Sequence, residues 1–139
     1  MSPVAVQRKL QGRRCDALVV YEAYDAAGLA DGVAVLVLGL DLSDASGEWV
    51  RVFFDAGRWS WTASTARPPT PEDPNGQLRF PATDLTATLG VTGAEITLAD
   101  LVPLAGRSGR LSLGFATGAA VRVEHDGDRS YLRIIPPAA

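Results

Sequence analysis

The sequence predicts a mainly β protein in which two antiparallel meanders form a small sandwich or an open barrel, with at most one or two short helices. Three observations support this fold class. Residues 109–135 alternate apolar and polar side chains around two turn signals. Residues 33–40 are an uninterrupted apolar run of strand length. Residues 49–63 contain two further strand-like segments on either side of Ala56-Gly57.

The segment at residues 16–27 is compatible with two structures. Asp16 is suited to cap a helix over residues 17–27 that Gly28 would end. Residues 18–24 are also rich in Val and Tyr, which favours a strand. We favour the strand because the neighbouring segments are β, and we expect a turn at Asp31-Gly32.

Residues 33–42 are predicted to form one long central strand, because their apolar side chains would cover both faces. After a loop at residues 43–47, a hairpin is expected with Ala56-Gly57 as its two-residue turn, although a bulged variant stays open. Its register pairs Asp55 with Arg58, Phe54 with Trp59, Val52 with Trp61 and Val50 with Ala63.

Four prolines between residues 68 and 74 indicate that residues 67–76 are a loop. This loop is too short to link independent domains, so we expect residues 1–139 to form a single domain of two β halves. Beyond it, residues 77–80 and 95–98 are predicted strands, and residues 83–89 suit either a short helix or a strand. Residues 98–102 are predicted to form one helical turn that Pro103 ends.

The C-terminal meander has the most regular pattern. A three-residue loop, Ala116-Thr117-Gly118, sets Phe115 opposite Ala119 and Leu113 opposite Val121. Asp126-Gly127 is the expected second turn. It pairs Glu124 with Arg129, Val123 with Ser130 and Val121 with Leu132. The predicted inward face consists of Leu111, Leu113, Phe115, Val121, Val123, Leu132 and Ile134.

Charge is unevenly distributed along the chain. The formal net charge is −3, yet the first fifteen residues contain four basic side chains and no acid. These basic residues, Arg8, Lys9, Arg13 and Arg14, are a candidate docking arm for neighbouring molecules, with a solvated first segment as the alternative. The remaining 9 basic and 16 acidic residues argue against a DNA-coating role, so we expect no nucleic-acid partner.

The residues with catalytic potential are few. Cys15 is the only cysteine, which favours neither a disulfide nor a structural zinc site and suits a reducing cytoplasm. His125, the only histidine, is expected at the tip of the second turn rather than in a metal or catalytic site. We therefore predict no catalytic, cofactor-binding or metal-binding residue, and a protein that is not an enzyme.

The chain lacks the apolar block of a signal peptide, and its longest apolar run is too short for a membrane helix. We therefore expect no membrane partner. The expected location is the cytoplasm, or a particle assembled there.

One aromatic surface is a candidate for protein binding. In the predicted hairpin, Trp49, Arg51 and Phe53 lie on the face opposite Phe54 and the other inward side chains. If exposed, aromatic side chains with an arginine have the composition of a binding hot spot. If the N-terminal segment covers them, they form a second core.

The Leu-x-Leu-x-Phe-x-x-Gly hairpin at residues 111–118, followed by Val-x-Val and Asp-Gly, resembles small uncharacterised bacterial β-proteins, some of them of immunity-protein type. The resemblance covers residues 110–135 and transfers no functional residue. The related pattern at residues 50–57 leaves open whether the two halves arose by duplication.

The sequence supports three functional hypotheses. The first is a non-enzymatic protein-binding or assembly protein, with a toxin-neutralising (immunity-type) protein as its specific form. The second is a structural subunit of a phage or secretion particle, which would self-assemble. The third is a small-molecule binder or small enzyme that uses the sheet interior.

Overall fold

The computed structural model describes residues 3–55, 58–103, 108–126 and 129–137, which form a mainly β structure. Two short helices accompany nine strands. In chain order they are α1 (Pro3–Leu10), β1 (Arg14–Tyr24), β2 (Ala30–Leu40), β3 (Glu48–Asp55), β4 (Arg58–Ser64), β5 (Ala82–Asp84), α2 (Leu85–Thr88), β6 (Ala94–Pro103), β7 (Ser108–Phe115), β8 (Ala120–Asp126) and β9 (Arg129–Ile135).

The strands form one antiparallel, open sheet in the order β4-β3-β2-β1-β6-β7-β8-β9, and β5 also pairs with β1. Two runs of consecutive neighbours, β1 to β4 and β6 to β9, meet where Arg14 pairs with Glu95 and Cys15 with Ala94. Strands β4 and β9 are the two ends of the sheet within the described residues.

The N-terminal strand prediction is confirmed, but the turn that follows lies earlier than expected. β1 and β2 are joined at Asp25, whose carboxylate accepts hydrogen bonds from the N–H groups of Ala27 and Leu29, both at 2.9 Å. Gly28 takes the positive φ of 80° there. The predicted turn at Asp31-Gly32 is wrong because Asp25 closes a turn first, and Gly32 lies inside β2 where the register shifts.

Strand β2 is central, as predicted. It pairs with β1 on one side and β3 on the other. Leu36 and Leu38 are buried on one face, and Val35 and Val37 are buried on the other. The continuous apolar run therefore reflects burial on both faces.

The predicted register of the β3–β4 hairpin is confirmed at all four positions, from Asp55 opposite Arg58 to Val50 opposite Ala63. The Ala56-Gly57 turn itself lies outside the described residues. Aromatic and β-branched side chains on one face therefore specified the register, since a one-residue slip would have exposed them.

The Pro-rich connector between β4 and β5 contains no helix or strand, as expected for residues 67–76. The strand predicted at residues 77–80 is reduced to one bridge, in which Arg79 and Tyr24 exchange backbone hydrogen bonds of 2.9 Å. The Asp73 carboxylate organises the connector by accepting hydrogen bonds from the N–H groups of Asn75, Gln77 and Leu78.

Both alternatives for residues 83–89 occur in succession, because Asp84 ends β5 and caps α2 by accepting a 2.9 Å hydrogen bond from the Thr86 N–H.

The predicted strand at residues 95–98 is part of β6. The predicted helical turn at residues 98–102 is wrong, since β6 continues to Pro103 in register with β7. Alternating burial of Ala99 and Leu101 explains the extended structure.

The first C-terminal turn is confirmed: Gly118 has a φ of 88°, and the Phe115 N–H donates to the Ala119 carbonyl at 2.9 Å. The predicted register of the second turn is wrong by two residues. Asp126 pairs with Arg129, Val123 with Leu132 and Val121 with Ile134. The observed register places Val123 opposite an apolar residue instead of Ser130. Gly127 lies outside the described residues.

A main cluster of buried apolar side chains unites the two halves. It includes Leu18, Leu38 and Val52 from the first half and Leu111 and Val123 from the second. Most of the predicted inward face of the C-terminal meander is buried in it, while Leu132 is partly buried at its margin. An outer cluster on the opposite face of the first half consists of Val19, Tyr21, Val35 and Val37.

Candidate protein-binding surfaces

The predicted binding face of Trp49, Arg51 and Phe53 lies on the outer side of β3. All three side chains are half-buried. The Arg51 guanidinium lies 4.5 Å from the centre of the Phe53 ring, a cation–π contact within the face. Trp49 has Arg67 of the connector above its ring at 5.3 Å.

The structure covers this face with a different segment from the one expected. Phe53 and Trp49 pack against the outer cluster together with Phe80, which follows the Pro-rich connector. Helix α1 lies elsewhere, because Val6 and Leu10 belong to the main cluster. We call Trp49, Arg51 and Phe53 the Trp49 face. Its side chains are partly buried and partly exposed, and the Pro-rich connector contacts it through Arg67.

The candidate docking arm is folded onto the body of the protein. Lys9 Nζ lies 2.6 Å from Glu48 Oε1. Arg13 donates to Asp41 Oδ2 at 2.8 Å and also to Glu48. We call Lys9, Arg13, Asp41 and Glu48 the ion-pair cluster. It ties α1 and the residue before β1 to the β2–β3 loop, through Asp41, and to the start of β3, through Glu48.

Arg14 and Arg8 complete the arm. Arg14 Nη2 donates to Ser43 Oγ at 2.6 Å, and its Nε lies 3.6 Å from Asp16 Oδ1. Arg8 is exposed on α1 and lines a shallow depression of about 420 Å³ with Gln7. Three of the four basic side chains are therefore neutralised within the protein, and Arg8 faces solvent.

The ion pairs stabilise the charged form of both acids. The hydrogen bond from Arg13 holds the pKa of Asp41 below its ordinary value of 3.8. The hydrogen bond from Lys9, followed by that from Arg13, lowers the pKa of Glu48 below 4.5. Asp41 also has a positive φ of 48°, which aspartate tolerates better than most residues.

His125 is not at a turn tip: it lies within β8 and is buried. Its ring is 4.6 Å from that of Trp59 on β4, tilted by 52°. Gly109 leaves room for both rings, because a Cβ there would lie 2.6 Å from Trp59 Nε1 and 2.8 Å from His125 Nε2. His125 shares the inward face with Val121 and Val123, and that alternation was the signal for its burial.

Cys15 is a buried thiol at the junction of the two halves. Burial raises its pKa to about 12, so the reactive thiolate is not formed at neutral pH. Its Sγ donates to the Ala17 carbonyl at 3.3 Å. Within the described residues, no group of three or more Cys, His, Asp or Glu side chains is placed to hold a metal ion.

The outer edge of β9 is a surface that the sequence did not single out. In the described part of the chain β9 pairs only with β8. Tyr131, Ile134 and Ile135 are 57%, 38% and 43% exposed. Ile134 was a predicted core residue; it lies on the same side as its β8 partner Val121, which is only 1% exposed. The side chains that bury Val121 on this side of the sheet therefore do not extend far enough to bury Ile134 on β9.

None of the helices among the described residues has the length and apolar character needed to span a bilayer. Comparison of the chain with protein-family models, with curated proteins and with solved structures found no match in any of the three.

Proposed function

We propose that this chain is a non-enzymatic protein-binding or assembly protein that makes its principal contact along β9. The observation that supports the proposal is the exposure of Tyr131 and Ile135 on the outer face, and of Ile134 on the inner face, of a strand at the end of the sheet. An added strand would therefore meet exposed apolar side chains on both faces. A toxin-neutralising protein is the specific form of this function that we propose.

The backbone of β9 supports the same function. An edge strand presents unpaired N–H and C=O groups, which proteins usually protect with charged side chains, proline, a bulge or a covering segment. β9 has seven residues, RSYLRII, with two arginines and no proline. Gly32 of β2 lies against the backbone of Ser130, so the open part of this edge begins after Ser130. An added strand would satisfy its backbone groups and contact alternate side chains.

The polar groups with catalytic potential have structural roles, which supports a non-enzymatic function. Cys15 is a buried, protonated thiol, and His125 packs on Trp59. The side chains of the ion-pair cluster hold α1 against the start of β3 and hold Arg13, which follows α1 and its turn, against the β2–β3 loop.

We also infer that the two halves of the sheet face each other as the layers of a small sandwich or open barrel. Two close approaches support this arrangement. Trp59 of β4 lies against His125 of β8, and a Cβ at Gly32 of β2 would lie 2.8 Å from the backbone of Ser130 in β9.

The binding surface is tested by affinity capture with the tagged full chain and with single variants. Ile135→Lys changes the β9 edge, and Thr62→Lys places the same charge on the exposed outer side of β4. We expect a partner protein recovered by wild type and Thr62→Lys to be lost with Ile135→Lys. Circular dichroism confirms that each variant is folded.

Trp49→Ala and Arg51→Ala test the earlier candidate face in the same experiment. Loss of the partner with these variants but not with Ile135→Lys would move the binding site to the Trp49 face and contradict the β9 assignment. A wild-type chain that recovers no protein above background would contradict the binding function itself.

A structural subunit of a phage or secretion particle is the second candidate. It is favoured by the two ends of the open sheet, at β4 and β9, which would let sheets continue from one copy to the next. Light scattering separates the candidates, since a particle subunit forms species that grow with concentration, whereas a closed complex has a constant mass.

A further inference from the structure

We propose that the cleft between the β1–β2 turn and residues 79–81 binds a small aromatic carboxylate. The cleft is separate from β9, so this inference does not depend on the proposed function. It has a volume of about 570 Å³ and is lined by Tyr24, Gly28, Arg79, Phe80 and Pro81. Pockets that hold small molecules usually measure about 300–1,000 Å³ and combine apolar walls with a few polar groups.

Backbone hydrogen bonds hold the walls of the cleft. Tyr24 and Arg79 exchange two bonds of 2.9 Å between their N–H and C=O groups. On the turn side, the Asp25 carboxylate closes the turn, in which Gly28 has a φ of 80°. A Cβ at Gly28 would meet nothing within 4 Å, so this wall leaves open space. The site is therefore formed before a ligand binds, which lowers the entropic cost of binding.

Two side-chain donors lie on one side of the backbone bridge. Residues directly opposite each other in an antiparallel pair direct their side chains to the same side, so the Tyr24 phenol and the Arg79 guanidinium are neighbours. Among the described residues, neither of these side chains has a hydrogen-bond or ion-pair partner. A hydroxyl and a guanidinium together provide the donors that the two oxygens of a carboxylate accept.

The acid next to Tyr24 in the sequence leaves the charge of Arg79 available. The Asp25 carboxylate accepts the turn hydrogen bonds from the N–H groups of Ala27 and Leu29. It forms no ion pair with Arg79, whose side chain is exposed. An anion in the cleft would therefore meet an arginine that no described carboxylate neutralises.

The other walls of the cleft suit the apolar part of such a ligand. Tyr24 and Phe80 are partly buried, and Phe80 packs on the outer cluster, which restricts the movement of its ring. Aromatic rings attract a flat ligand through offset-stacked or edge-to-face contacts. A ring that carries a carboxylate would therefore contact Phe80 and Pro81 while its acid group reaches Arg79.

The test is a titration of the full chain with 3-phenylpropionate, followed through the backbone amide signals in ¹H–¹⁵N NMR spectra. We expect saturable shifts centred on the Gly28 and Phe80 amides. The dissociation constant should be in the millimolar range for a ligand of about eleven non-hydrogen atoms. The neutral analogue 3-phenylpropionamide, which lacks the charge that pairs with a guanidinium, should bind about fivefold more weakly.

Three variants examine the role of each donor. Arg79→Gln should weaken binding of the acid about fivefold and abolish the preference for the acid over the amide. Tyr24→Phe, which keeps the ring and removes the hydroxyl, should weaken binding about threefold. Arg8→Gln is the matched control and should bind as the wild type does, because Arg8 is an exposed arginine in a depression lined by Gln7, Gln11 and Gly12.

Each alternative result overturns a specific part of the inference. A titration without saturable shifts up to the solubility limit of 3-phenylpropionate overturns the binding site. Shifts centred on residues away from the cleft overturn its location. Equal affinity for the acid and the amide, or unchanged affinity in Arg79→Gln, overturns the assignment of a carboxylate ligand.

Discussion

At the scale of single residues, the two halves of the protein meet through side chains whose types fit their positions closely. Trp59 on β4 reaches His125 on β8, and Gly109 on β7 provides the space between them. Cys15 fills a fully buried position beside the β1–β6 junction. Trp59, His125 and Cys15 therefore all contribute to the packing where the two halves meet.

Gly109→Ala should lower the free energy of unfolding by about 1–3 kcal/mol, the range found for overpacked interiors. The added methyl would lie 2.6 Å from Trp59 Nε1 and 2.8 Å from His125 Nε2, so both rings must move. Urea denaturation followed by tryptophan fluorescence measures the change. Gly114→Ala is the comparison variant: its Cβ would meet its nearest neighbour, Leu98 Cβ, at 3.3 Å, a tight contact that a shift of a few tenths of an ångström relieves, so we expect a smaller loss of stability than for Gly109→Ala. Equal stability of Gly109→Ala and wild type would show that Trp59 does not occupy this space.

Cys15 should react slowly with a thiol reagent at pH 8 in the native protein and rapidly in denaturant. Burial raises the pKa of this thiol to about 12 and also blocks access of the reagent. Stopped-flow absorbance with an aromatic disulfide measures both rates. Native and denatured rates that agree would mean that the junction around Cys15 opens readily.

At the scale of elements, the ion-pair cluster fixes the basic N-terminal segment to the rest of the sheet, because its basic side chains pair with acidic side chains between β2 and β3 and at the start of β3. Lys9 and Arg13 contact Glu48, and Arg13 also contacts Asp41. Val6 and Leu10 anchor the other side of α1 in the main cluster. The helix is thus held by both apolar burial and charge pairing.

The ion-pair cluster should make the protein less stable in acid. The pKa values of Asp41 and Glu48 are lowered in the folded protein, so the stabilisation from their ion pairs is complete above about pH 5 and is lost as the pH falls below about 4, through the lowered pKa values of the folded protein. Asp41→Asn tolerates the same backbone conformation but removes the charge. It should cost about 1–2 kcal/mol at pH 7 and flatten the loss of stability between about pH 5 and pH 3.

Denaturation curves measured from pH 3 to pH 8 give both quantities. Asp100→Asn, an exposed position on β6, is the matched control and should follow the wild-type pH dependence. An Asp41→Asn variant that loses stability in acid as steeply as the wild type would contradict this role of the cluster.

The elements that sequence patterns predicted correctly are those set by local chemistry. Alternating apolar residues with a glycine in the loop predicted both the β3–β4 register and the turn at Gly118. Helix α1 was missed because Val6 and Leu10, spaced by four residues, are a weak helical signal among charged side chains. The second C-terminal register was wrong because Gly127-Asp128 suits a hairpin turn as well as Asp126-Gly127 does.

The candidate surfaces depended on contacts that local patterns do not contain. Nothing near Trp49 in the sequence indicates that Phe80 packs against the same outer cluster, since the Pro-rich connector separates them. The position of β9 at the end of the sheet follows from the pairing of β1 with β6, which joins distant parts of the chain. The order of strands in the sheet, which joins distant parts of the chain, therefore determines that Tyr131 on β9 is exposed.

At the scale of the whole molecule, one main cluster receives side chains from both halves, although few backbone pairs join β1 to β6. The connector between the halves has no regular structure of its own beyond the Tyr24–Arg79 bridge. If one half unfolded alone, the side chains that the other half contributes to the main cluster would be exposed to solvent. We therefore expect residues 1–139 to unfold as a single domain.

Cooperative unfolding is tested with one core substitution in each half. Leu38→Ala in β2 and Leu113→Ala in β7 both truncate fully buried side chains, and each should cost about 2–5 kcal/mol. The three tryptophans, Trp49, Trp59 and Trp61, all belong to the first half, although Trp59 also contacts His125 of the second half. Tryptophan fluorescence therefore reports mainly the first half, while far-UV circular dichroism reports strands from both. The two probes should give coincident transitions in wild type and in both variants, with Thr62→Ala as an exposed control. If Leu113→Ala shifted the circular dichroism transition and left the fluorescence transition in place, the halves would be separate domains, and the main cluster would not couple them.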